Sequence, residues 1–137
     1  MTQREALQVL AVLRAAYPEH YLRLSKEEAI GVVNTWAAQF ASIPVDIVVM
    51  AVQKLIASSD KMPKICDVKE KLRSMHWEAY NVISNKKDFA QLSDQQQAFY
   101  QRVHDATENG RFSLVREPSL HDLYQQSESL KLIEGAR

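Results

Sequence analysis

Ile43-Pro-Val-Asp-Ile-Val-Val-Met-Ala-Val-Gln-Lys-Leu-Ile-Ala57 is the stretch whose reading decides the fold. It is apolar on nearly its whole circumference and far too short to cross a bilayer. The β-branched residues Ile47, Val48, Val49 and Val52 would suit a strand. Val48, Ala51, Val52 and Leu55, however, keep helical spacing in a segment too long for a strand in a chain with so few turn signals. Pro44 fits the first helical position, where its missing N–H costs nothing, and Asp46 faces the positive end of the helix dipole. A helix apolar all round must be surrounded, so the flanking segments have to cover it.

Upstream, Thr2-Gln-Arg-Glu5 forms a capping box that opens a helix with Ala6, Val9, Leu10, Leu13 and Tyr17 on one face, and Pro18 stops it. Ser25-Lys-Glu-Glu28 opens a second helix, with a buried face expected from Ala29, Ile30, Val33, Trp36, Ala37 and Phe40. Downstream, a polar connection ends at Pro63. Ile65, Val68, Leu72, Met75, Ala79 and Val82 then mark the longest helix. Its second half, with Trp77 and Tyr80 off the stripe, is expected to project beyond the domain.

From Asn85 onward the aliphatic content falls. Ser93 and Gln96 cap an amphipathic helix carrying Ala98, Phe99, Arg102, Val103 and Ala106, and Asn109-Gly110 ends it. Arg111 to Pro118 reads as extended, and Ser119 as the cap of a last helix with Leu120, Leu123, Tyr124, Leu130 and Ile133. The expected class is all-α: a bundle of about four helices over residues 1–84, followed by a polar, partly helical extension over 85–137 that serves partner binding.

With 17 basic and 17 acidic residues among 137, no global field draws the chain to nucleic acid or to an anionic membrane. A single cysteine, Cys66, leaves no internal disulfide, and neither a signal peptide nor a membrane span is read, so a cytosolic protein is expected.

Catalysis finds little support. Only three glycines occur, in no phosphate-cradling pattern. His20, His76, His104 and His121 show no pair at metal-ligand spacing and Cys66 has no second thiol beside it, so neither a metal site nor a cofactor is expected. Two features remain for binding. Lys61, Lys64, Lys69 and Arg73 cluster near Pro63 as candidate phosphate contacts, but Asp67 and Glu70 interrupt them, and a solvated helix face with internal pairing is the preferred reading. Apolar residues of the polar half, Phe112, Leu114, Leu120, Leu123, Tyr124 and Leu130 among them, read either as cover for the core or as anchors in a partner groove.

The order of landmarks carries a resemblance. Ala-Ala-Tyr17-Pro18-Glu-His-Tyr21, Val33-Asn-Thr-Trp36, Val52-Gln-Lys-Leu-Ile56 and Lys61-Met-Pro63-Lys64-Ile65 together resemble the phage helicase loader and inhibitor family, over roughly the first seventy-five residues. The family commonly places a small capping residue where this chain has Lys64. The resemblance implies a compact helical N-terminal domain and a more mobile C-terminal part that engages a replicative hexameric helicase, without ATPase activity. It further implies that the helicase is held inactive and handed to an origin-bound initiator protein. Tyr17, Trp36 and Pro63 are carried over as core and turn residues only. The leading expectation is therefore a replication accessory protein of a phage or prophage that binds the helicase through the six apolar residues above, in the host cytoplasm, with no strong nucleic-acid binding. The alternatives are a small DNA-binding regulator acting through the lysines and a self-associating structural protein.

Overall fold

A computed structural model of the protein describes residues 1–21, 23–113, 124, 125 and 127. Six α-helices are present, α1 Gln3–Ala16, α2 Lys26–Gln39, α3 Val45–Ser58, α4 Ile65–Ser84, α5 Lys86–Gln91 and α6 Asp94–Asn109, with a 3-10 turn at Pro18–His20 and no strand among the described residues. The fold is the all-α bundle expected.

α1, α2 and α6 begin where the sequence supplies a side-chain partner for the free N–H groups of the first turn. The Thr2 hydroxyl accepts from the Glu5 amide at 3.1 Å, while the Glu5 carboxylate accepts from the Thr2 amide at 3.0 Å. Ser25 caps α2 through the Glu28 amide at 3.1 Å, and Ser93 and Gln96 cap α6 reciprocally. At α4 the capping side chain is missing because Lys64 occupies the cap. The Asp67 carboxylate instead accepts from the Lys64 amide at 2.8 Å, preserving the backward half of a capping box. Pro44 stands at the cap of α3, one position before the expected first turn, with φ −59° and ψ 140°.

α3 packs against α1 and α4, and α1 in turn carries α2. Ile47, Val48, Ala51 and Val52 are fully buried, whereas Val49, Met50, Leu55 and Ile56 are only half-buried. The central helix is thus enclosed on two sides and not all round. α2 departs further from expectation: its extensive packing is on α1, so only Trp36 and the following Phe40 are fully buried, Val33 and Ala37 pack on the core half-buried, and Ile30 is exposed. The Trp36 and Phe40 rings meet at a centroid distance of 5.6 Å. Tyr17 donates to the Ser59 carbonyl at 3.0 Å, tying the end of α1 to the end of α3.

The second half of α4 does not project. α6 folds back along it in the most extensive helix pairing of the molecule, covering Met75, His76 and Ala79. The reversal is made by α5, which the sequence reading omitted. Asn85 bonds the Asp88 carboxylate at 2.7 Å to start it, and the Gln97 amide spans the turn to the Phe89 and Leu92 carbonyls at 2.9 and 3.2 Å. The buried face of α6 is Val103, Ala106 and Thr107; Ala98, Phe99 and Arg102, which the sequence grouped with Val103 and Ala106 on one amphipathic helix, lie at the surface. Arg102 instead pairs with Asp46 of α3 through both guanidinium nitrogens.

At the end of α6, Gly110 ends the helix but does not take the left-handed conformation. Arg111 does, at φ 63°. The Phe112 amide donates to the Thr107 carbonyl at 2.9 Å and the Arg111 amide to the Glu108 carbonyl at 3.0 Å, the bond pair of a Schellman motif. Glycine is needed at 110 for space: a Cβ there would lie 2.2 Å from Ile43 Cδ1 and 2.7 Å from the Phe112 ring. Residues 111–113 therefore form a turn where an extended segment was expected. The expected helix from Ser119 lies almost wholly outside the described residues.

Candidate functional site

The two residue sets singled out for binding meet different fates. Phe112 is 7% exposed and belongs to the core cluster with Ile43 and Val103, because the Schellman turn swings its ring back over the end of α6. Tyr124 is 64% exposed. Leu114, Leu120, Leu123 and Leu130 lie outside the described residues.

The four cations near Pro63 have different surroundings. Lys61 lines a shallow, open cleft with Met62, Pro63, Asp67, Glu70 and Lys71. Lys64 is exposed at the cap of α4. Lys69 donates to the side-chain carbonyl of Gln39, and Arg73 pairs with Glu70 at 3.2 Å. Two of the four are therefore engaged within the protein, and the cleft holds two carboxylates beside its lysines.

The packing of α6 on α4 assembles a cluster that no spacing in the sequence announced. His76 is 2% exposed, and its Nδ1 lies 2.9 Å from the Thr107 hydroxyl oxygen. That hydroxyl donates its own proton within α6, to the Val103 carbonyl at 2.7 Å. A hydroxyl donating there is an acceptor toward His76, the arrangement that matches a ring proton on Nδ1. Nε2 is left as an acceptor, and 3.5 Å away stands a carboxylate oxygen of Glu108. The His104 ring stacks on His76 at a centroid distance of 5.0 Å, with its own Nδ1 3.2 Å from the Asp105 carboxylate. Burial, reinforced by the neighbouring His104, lowers the pKa of His76; Glu108 opposes the shift. The ring is accordingly held neutral at neutral pH.

Trp77 and Tyr80 border this cluster. Trp77 meets His76 edge-on at 5.0 Å and Tyr80 at 5.4 Å, and Tyr80 stacks over His104 at 6.3 Å. Both aromatics are partly open to solvent, at 38% and 46% exposure. The α4–α6 seam thus presents an aromatic surface beside a histidine pair. His76 and His104 stand 28 residues apart in sequence and only the helical reversal at α5 unites them; the reading of all histidines as scattered fails for these two. His104 and Glu108, one helical turn apart on α6, were the one local signal available.

Among the described residues no helix is long and apolar enough to cross a membrane. No curated protein and no solved structure matches the chain. One family does: the N-terminal domain of the phage SPP1 helicase loader/inhibitor family, over residues 1–69, which span α1 to α3 and the first turn of α4. The match contains the Tyr17-Pro18 stop of α1, Trp36 in the core and the Pro63 junction before α4, and it covers half of the sequence. The chain belongs to this N-terminal domain family, that of the phage helicase loaders and inhibitors.

Proposed function

We propose that this protein is a phage or prophage DNA-replication accessory factor that binds a replicative hexameric helicase, holds it inactive and assists its loading at an origin. The observation that carries the reading is the family match over the helices that build the N-terminal bundle. The mechanism is differential affinity. A protein that binds a helicase state unable to hydrolyse ATP or engage single-stranded DNA draws the ring into that state; release on meeting an origin-bound initiator or DNA frees it. Inhibition and loading then follow from one contact, with no catalysis by this chain, in the cytoplasm of the bacterial host.

Labour is divided between residues 1–84, which form a bundle that α6 completes, and residues 85–137, which engage the partner. Leu114, Leu120, Leu123, Tyr124 and Leu130 are the proposed anchors. Phe112 contributes by fixing the turn from which they depart. Exposed Tyr124 favours this assignment, since a large aromatic left at the surface is the residue type that partner pockets take up.

The test mixes the full-length protein with the replicative helicase of its phage or host, with and without ATP, and follows the complex by size-exclusion chromatography with light scattering. A stable complex is expected. Leu123→Ala with Tyr124→Ala should abolish it while leaving Tm nearly unchanged. Retention of the complex in that double variant would overturn the anchor assignment, and absence of a complex with either helicase would overturn the reading itself.

A further inference from the structure

The family match ends at residue 69, so the histidine cluster on the second half of α4 and on α6 lies wholly outside it. Its chemistry is that of a ligand set. His76, His104 and Glu108 each offer one donor atom, and the three atoms lie within 4.8 Å of one another. A tetrahedral ion with bonds of about 2.0–2.1 Å to nitrogen and oxygen sets its ligand atoms about 3.3–3.4 Å apart. The separation of His76 Nε2 from the Glu108 oxygen, 3.5 Å, is already such an edge. The remaining closure falls to Glu108, whose side chain is 54% exposed.

Two further observations point to a cation. His76 Nε2 and the Glu108 carboxylate are both acceptors once Nδ1 carries the ring proton, so the pair facing each other at 3.5 Å is complementary to a positive ion between them. The rings are also oriented as metal-binding imidazoles are. Thr107 holds the far nitrogen of His76, and the Asp105 carboxylate, 3.2 Å from Nδ1 of His104, is placed to do the same for that ring. Such outer contacts fix tautomer and ring orientation at metal sites.

We propose that His76, His104 and Glu108 form a site for a late first-row divalent cation of the zinc class, clamping α6 onto α4 beside Trp77 and Tyr80. Two imidazoles with one carboxylate select zinc and its neighbours over magnesium and calcium, which take oxygen sets. Three protein ligands leave a fourth position, and the exposure of Glu108 opens that position to solvent or to a donor from a partner. A bound ion would fix the end of α6, from which the Schellman turn at Gly110–Phe112 leads into the C-terminal segment.

The experiment titrates untagged full-length protein, stripped with a chelator, with Zn²⁺ by calorimetry and with Co²⁺ by visible absorption. One equivalent is expected to bind, with the intense d–d absorption of a low-symmetry Co²⁺ complex, and saturating Zn²⁺ should raise Tm by several degrees. His104→Gln and Glu108→Gln, both at solvent-accessible positions, should keep the circular dichroism spectrum and each weaken Zn²⁺ binding at least about tenfold. Cys66→Ser and His20→Gln should leave it unchanged. Uptake that survives both ligand substitutions, loss of uptake in Cys66→Ser, or no stoichiometric Zn²⁺ uptake at all would overturn the site.

Discussion

Gly110 and Arg111 divide between them a task that helix ends usually give to one glycine. The space next to Ile43 and Phe112 admits no Cβ at 110, while the left-handed turn falls one residue later on a side chain that disfavours it. Opposite outcomes are expected from neighbouring substitutions. Gly110→Ala should destabilise by about 1–3 kcal/mol through overpacking. Arg111→Gly should stabilise by up to about 1 kcal/mol by removing the left-handed penalty. Urea unfolding of the two variants distinguishes them, and a destabilised Arg111→Gly would contradict the account. Trp36, 6% exposed against Phe40, is the largest core side chain of α2. Trp36→Ala should cost about 3–5 kcal/mol, enough to threaten a small domain, as thermal melting followed by circular dichroism would show.

Among the elements, the cross-tie of α3 to α6 is electrostatic at the surface as well as apolar beneath. Hydrogen bonding from Arg102, with its positive charge, holds the Asp46 carboxyl below the ordinary carboxylate range, burial opposing it. A carboxyl whose pKa is lower folded than unfolded stabilises the fold above its unfolded pKa, and that contribution is lost as pH falls through the folded value. Melting of the wild type should therefore lose a small increment below the ordinary carboxylate range that Asp46→Asn does not lose. Both side chains are about half exposed, so solvent screening limits the pair to about 0.2–1 kcal/mol. An acid limb identical in the two proteins would remove the ion pair as a stabilising element.

At the level of the whole molecule, α6 is both part of the proposed partner-binding half and part of the core. Val103, Ala106 and Phe112 pack into the single apolar cluster, and α6 covers Met75 and His76. Fully burying a side chain such as Val103, Phe112 or Met75 is worth about 1.5–3 kcal/mol, against a total stability of about 5–15 kcal/mol. A chain ended after Ser113 should melt cooperatively near the full-length temperature and lose helicase binding. One ended after Asn85 should be grossly destabilised. Equal stability of the two would show that α6 adds nothing to the fold.

What the sequence determined by itself is whatever is written in local chemistry. The capping boxes at Thr2 and Ser93 and the hydroxyl cap at Ser25, where Glu28 does not reach back as the sequence suggested, place helix starts because a short polar side chain closes on nearby N–H groups whatever the fold around it. The 3.6-residue stripe of α4 and the order of Tyr-Pro, Trp and Pro-Lys-Ile landmarks likewise disclosed an all-α bundle and its family. Tertiary structure alone decided which apolar residues are inside. Ile30 reads as buried yet stands at the surface, because an amphipathic pattern fixes a face but not how much of it a neighbour will cover. The cluster of His76, His104 and Glu108 was out of reach for the same reason. Its members come from two helices whose antiparallel register is set by a short polar reversal at Lys86–Gln91, and juxtaposition across such a turn is a property of packing that no spacing along the chain records.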